Sequence, residues 1–236
     1  MKIRIFIPVT LLAAVWTFMP TAAQTPEWTW AKCGSSEQDN NRAYAVTATD
    51  ASGNVYITGS FSSRDLVFDP IKIENEGLSD AFLARYDQHG KILWAKSIGN
   101  KADEMASAIA LDAEGNVVLA GKYSGSSVSF GPSVLQGPGL FLIKCDSLGN
   151  AIWTKGIDAS VNDYVKSIAL DASGNIYLAG VFSSSKLLIG KEALVNTGGS
   201  CPGGCWDVFI AKFDAGGNPV WARSAGGKAG DELTAV

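Results

Sequence analysis

Acidic residues recur at matched places along the chain: Asp103 and Glu104, Asp163, and Asp231 and Glu232, with Arg42 at the corresponding place nearer the start. Two carboxylates held together can coordinate a cation or act as an acid and a base. Catalysis needs one asymmetric cluster, however, and one copy per repeat points to side chains that solvate and cap tight links. His89 is the only histidine. It falls inside a turn, and no Gly-x-Ser-x-Gly elbow occurs, so a serine-type or metal-dependent hydrolase would lack a placed base. No catalytic residue, metal or cofactor is expected.

The stretch from Ser183 to Trp206 carries Asn196, Thr197, two Gly pairs, the pair Cys201 and Cys205, and an off-register Trp206. The short glycine-lined loop between the two cysteines suits a local disulfide. A CxxxC pair with one histidine in the whole chain lacks the four ligands of a structural zinc. An aromatic ring on a stapled loop anchors a protein or glycan partner. The same ring can cover the side of its own sheet, the commoner fate of a large aromatic. Candidate binding residues are therefore Trp206, Asn196, Asp103, Glu104, Asp163, Asp231 and Glu232.

These residues sit in a repeated frame. Asp50-Ala51-Ser52-Gly53-Asn54 and the strand after it recur at Asp112-Ala113-Glu114-Gly115-Asn116 and at Asp171-Ala172-Ser173-Gly174-Asn175, spaced by 62 and then 59 residues. A period of that size marks a repeat architecture. Each repeat, at about 43–98, 105–157 and 164–225, contains four apolar runs of five to eight residues between Gly, Asn and Ser punctuation, which is strand periodicity. The Asp accepts hydrogen bonds from N–H groups just beyond it and the Gly supplies positive φ, so Asp50 with Gly53, Asp112 with Gly115, and Asp171 with Gly174 are structural turns. Such turns are too short to wrap the six to eight oxygens calcium wants. All length variation falls between the second and third strands: the distance from first-turn to second-turn Asp is 37, 34 and 43, whereas the distance onward to the next first turn is 25 both times.

Tandem four-stranded antiparallel units suit an all-β β-propeller. The spacing predicts three complete blades, an orphan N-terminal strand around Trp30, and the start of a further blade at Asp231 to Val236. This is an incomplete ring, expected of an N-terminal fragment or of a chain that closes by association. Trp30, Trp94, Trp153 and Trp221 open a recurring W-[AT]-[KR] run in the fourth strand, and each is expected to pack between blades.

Lys2 and Arg4 precede an apolar run to Met19, followed by small residues to Ala23. This reads as a secretory signal peptide over 1–23, too short for a membrane span, which leaves 24–236 as the partial propeller. Its removal takes the net charge from −4 to −6, a balance that favours neither nucleic acid nor an anionic membrane. The expected location is extracellular or the cell surface, with no membrane insertion after cleavage.

Trp-Ala-Lys at 94–96, Asp-Ala-Ser-Gly-Asn-Val-Tyr-Ile-Thr-Gly-Ser-Phe at 50–61 and Asp-Ala-Phe-Leu-Ala-Arg-Tyr-Asp at 80–87 resemble the bacterial SBBP-type β-propeller repeat, across essentially all of 24–236. Departures are small: Cys145 stands where Tyr86 and Phe213 do, and Val118 replaces the tyrosine of Tyr56 and Tyr177. The resemblance implies a large secreted or cell-surface bacterial protein, often with adhesive modules and a C-terminal sorting domain, and it supplies no catalytic residues. The expected function is a non-enzymatic scaffold that binds protein or carbohydrate at the cell surface, alongside further blades or modules of the same parent chain. The alternative is a piece of a larger extracellular hydrolase, lyase or quinone-dependent oxidoreductase whose active residues lie elsewhere.

Overall fold

The computed structural model describes residues 44–130, 133–198 and 205–235. The expectations for the signal peptide, Trp30, Arg42 and Cys201 lie outside those residues.

The described chain is all strand and turn. β1 (Tyr44–Thr49) and β2 (Val55–Phe61) form a hairpin, β3 (Asp65–Phe68) and β4 (Ile71–Glu74) form a separate small hairpin, and β5 (Asp80–Tyr86) and β6 (Ile92–Ile98) complete a four-stranded sheet of order β1-β2-β5-β6. The plan repeats with β7 (Glu104–Leu111), β8 (Val117–Tyr123), β9 (Ser127–Phe130), β10 (Ser133–Gln136), β11 (Gly139–Cys145) and β12 (Ala151–Asp158). It repeats again with β13 (Tyr164–Leu170), β14 (Ile176–Phe182), β15 (Lys186–Ile189), β16 (Glu192–Val195), β17 (Asp207–Phe213) and β18 (Pro219–Ala225). All three sheets are antiparallel and propeller-like, and the first and third both pack on the second. Among the described residues no closed ring forms, and 226–235 carries no strand.

The turns follow the local chemistry. Asp50 Oδ1 accepts the N–H groups of Ser52 and Asn54, both at 2.9 Å, and Oδ2 accepts the Asn54 amide at 2.7 Å. Asp112, Asp146, Asp171 and Asp214 make the same set, and the turn glycines all have positive φ.

Period-two patterning builds the core. On β8, Val117 and Leu119 join Tyr56, Leu83, Phe141 and Ile143 between the first and second sheets, while Val118 and Ala120 join Leu140, Leu142, Ile176 and Leu178 between the second and third. Because the middle sheet is covered on both faces, β11 is buried along its whole length, as alternation of side chains to opposite faces requires.

The variable stretch between second and third strands is not a simple loop. It folds as the small hairpins, whose alternate residues Leu66 and Phe68, Val128 and Phe130, and Leu187 and Ile189 are buried. Each packs on the outer strand of its own sheet, and β9 and β15 also touch the outer strand of the preceding one. The hairpins are wedges closing the outer rim of the seams, a place where exposed apolar surface would otherwise remain.

Candidate functional site

The acids of the links resolve into caps first. Glu104 Oε2 accepts the N–H of Asn100 at 3.2 Å, Asp163 Oδ2 that of Ser160 at 2.8 Å, and Asp231 Oδ2 that of Gly227 at 3.0 Å. Asp163, fully buried, also accepts from Ser183 N–H and from both the N–H and the hydroxyl of Ser184. Glu104 is fully buried as well. Burial pushes its carboxyl up to about 7, with Asp80 and Asp103 adding to the effect. Asp103 is exposed and pairs with Ser79 in an isolated parallel bridge.

Asn196 is structural in the same sense. Its amide donates to the carbonyls of Phe182 and Cys205, both at 2.9 Å, and its oxygen accepts Gly198 N–H. Cys205 is buried and is not free, and Cys201 lies outside the described residues. The specific Cys201–Cys205 bridge stays a proposal.

Three of the predicted residues do come together. Trp206, Asp231 and Glu232 line a cavity of about 310 Å³ with Tyr164, Lys166, Val181 and Leu233. Trp206 stands just before β17, and its carbonyl takes the N–H of Asp231 at 2.7 Å, which ties the link to the third sheet. Among the described residues the indole N–H of Trp206 is buried without an acceptor. Tyr164 and Lys166 come from β13, whose register slips between Val165 and Ser167. Such a bulge re-aims side chains, and the exposed Lys166 is the residue it releases.

The cavity is electrically two-sided. Lys122 Nζ lies 3.9 Å from the centroid of the Tyr164 ring and Lys166 Nζ lies 5.8 Å from it, while Asp231 and Glu232 line the same cavity. A neighbouring hollow of about 470 Å³ shares Tyr164 and Lys166 and is otherwise walled by Ala45, Val46, Met105, Ala106, Ser107 and Val165 of the inner strands. Ser107 Oγ donates to the Val165 carbonyl at 2.8 Å, linking two of those strands across a seam.

Comparison with known proteins gives the context. No family model matches. The chain is 23% identical over 219 residues to an uncharacterized WD repeat-containing protein of Acanthamoeba polyphaga mimivirus, covering 79% of this chain and 16% of that protein. It is 27% identical over 183 residues to the regulatory protein FlaEY of Caulobacter vibrioides, covering 73% of this chain and 18% of that one. The chain thus spans less than a fifth of the length of these curated relatives. Repeated sheets and matches together fit a repeat protein of β-propeller type.

Sequence reasoning missed Tyr164, Lys166, Val181 and Leu233. A signal existed for two of them. Seven residues before the first-turn Asp the second repeat has Met105 where the third has Tyr164, and five residues before it Ala45 and Ser107 stand where the third has Lys166.

Proposed function

We propose that this chain is the propeller-like part of a secreted or cell-surface protein of the bacterial SBBP type, acting as a non-catalytic scaffold that holds a glycan or protein partner. One observation carries the reading: the repeated turn acids are consumed in hydrogen bonds, whereas Trp206, Tyr164 and Lys166, which do not repeat, converge with the link acids Asp231 and Glu232 on one cavity. The names of the curated matches, a WD repeat-containing protein and a regulatory protein, sit comfortably with a scaffold.

A carbohydrate suits the cavity best. Its 310 Å³ lies at the small end of ligand sites, room for a sugar ring or two. Tyr164 and Trp206 offer aromatic surface, and hydroxyls can pair with both the lysine and the carboxylates of the rim. Residues 1–23 read as the export signal and the Cys201–Cys205 bridge as its oxidised companion.

Glycan-array screening followed by calorimetry on the best ligand tests this. Trp206→Ala and Tyr164→Ala are expected to weaken that ligand at least about tenfold while melting normally. Binding that is insensitive to both substitutions would remove the cavity from consideration.

A further inference from the structure

The W-[AT]-[KR] run of each outer strand has a mechanical meaning. The ring of Trp94 covers the turn of the next sheet so closely that a Cβ on Gly149 would lie 2.9 Å from it. Its indole N–H donates to the Ser147 carbonyl at 3.1 Å, and Lys96 Nζ donates to the Gly149 carbonyl at 2.6 Å and to Asn150 Oδ1 at 3.2 Å. One seam further on, Trp153 stands over Gly217, 3.0 Å from a Cβ there, and Lys155 Nζ reaches Asn218 Oδ1 at 3.4 Å. The turn glycine is left-handed and bare, so a flat ring can lie on it while the cation two residues on takes the oxygens beside it. The pair is a clasp, and its prey is an Asp-x-x-Gly-Asn turn.

The third sheet carries the same clasp. Trp221 pairs across the strands with Lys212 as Trp94 pairs with Arg85 and Trp153 with Lys144. It meets Tyr177 edge-on at 6.4 Å and 63°, as Trp94 meets Tyr56 at 6.2 Å and 65°. Among the described residues no turn glycine lies against Trp221. Among those residues Arg223 reaches the Ala222 carbonyl and Glu192 of its own repeat, and β18 is largely exposed, Val220 at 56%.

The geometry points to Trp221 and Arg223 as a docking site for the Asp-x-x-Gly-Asn turn of a further sheet of this same repeat. The argument is continuity, since two seams inside the chain already use that interface with the same residue types in the same register.

The test continues the full chain after Val236 with a copy of its own residues 169–225, which keeps register because Asp231 occupies the place of Asp163. Trp221→Ala should lower the Tm of the extended protein by about 5 °C or more, as Trp153→Ala does in either protein, and shift the 236-residue chain much less. Equal shifts in both proteins would overturn the assignment. A second measurement is independent of whether the extension folds. In the 236-residue chain, oxidation by N-bromosuccinimide mapped by mass spectrometry should modify Trp221 well ahead of Trp94 and Trp153, and equal protection of all three would refute the docking site.

Discussion

The carboxyl of Asp80 occupies the space above Gly99: a Cβ on that glycine would lie 2.7 Å from both Asp80 Cγ and Oδ1, and as close to Glu104 Oε2. Asp207 stands over Gly226 in the same way. In the second sheet Gly139 takes the place of that acid, and its cross-strand partner Asp158, the last residue of β12, is not a glycine. Gly99→Ala should therefore cost about 1–3 kcal/mol through overpacking, and Asp80→Gly in the same chain should recover at least about 1 kcal/mol of it. Urea melts of the four proteins complete the cycle, and strict additivity would show that the contact carries no strain.

Glu104 makes stability fall as pH rises through neutrality. Its folded pKa is about 7, raised by burial, and that of Asp80 is raised for the same first reason. A carboxyl with a raised pKa binds more protons folded than unfolded, so its contribution is intact below the unfolded value near 4.5 and is lost between there and about 7. The loss is on the order of 3 kcal/mol. Denaturant midpoints measured from pH 4.5 to 7.5 should decline, and Glu104→Gln should flatten the decline. A midpoint that climbs over this range would contradict the buried-acid account.

Much of this frame can be read from residue order alone, because an Asp-x-x-Gly-Asn turn is a local device and strand alternation has a fixed period. The three sheets and the seam position of Trp94 and Trp153 follow from such signals. The hairpin wedges were legible too: Leu66 and Phe68 alternate with Asp65 and Val67, but runs of four residues between sheets are easily taken for loops. The cavity was legible only by half. Trp206, Asp231 and Glu232 stand out by type, whereas Tyr164 and Lys166 reach them through a bulge in β13, which nothing in the spacing announces.

The third-strand cation of every repeat pairs with the first-turn Asp, at unequal strength. Lys144 Nζ lies 2.8 Å from Asp112 Oδ2 with side chains 11% and 5% exposed, whereas Lys212 lies 3.9 Å from Asp171 at 24% and 34%. Burial pushes Asp112 up, but hydrogen bonds from Lys144 and Asn116 outweigh it and hold the carboxyl below its ordinary value. Lys144→Ala strands a buried carboxylate and should cost about 3 kcal/mol. Lys212→Ala, at a wetter pair, should cost less than about 1 kcal/mol. Chemical denaturation of both variants decides the matter, and equal losses would mean that burial does not set the worth of these pairs.

Cys145 is the free cysteine among the described residues, and it is fully buried on β11 between the first and second sheets. Burial pushes its thiol up to about 12, with Asp146 adding slightly and Lys96 opposing. The thiolate is the reactive form, so at pH 8 both its population and its access are suppressed. Iodoacetamide should modify Cys145 at least about a thousandfold more slowly in the folded protein than in urea, read from the peptide that contains it so that other cysteines do not interfere. Because labelling must wait for β11 to separate from β8 and β12, its rate also reports opening of the middle sheet. Trp94→Ala, which loosens the seam on that side, should speed the reaction. Labelling of the native protein at the free-thiol rate would place Cys145 outside the core and overturn the packing of the first seam.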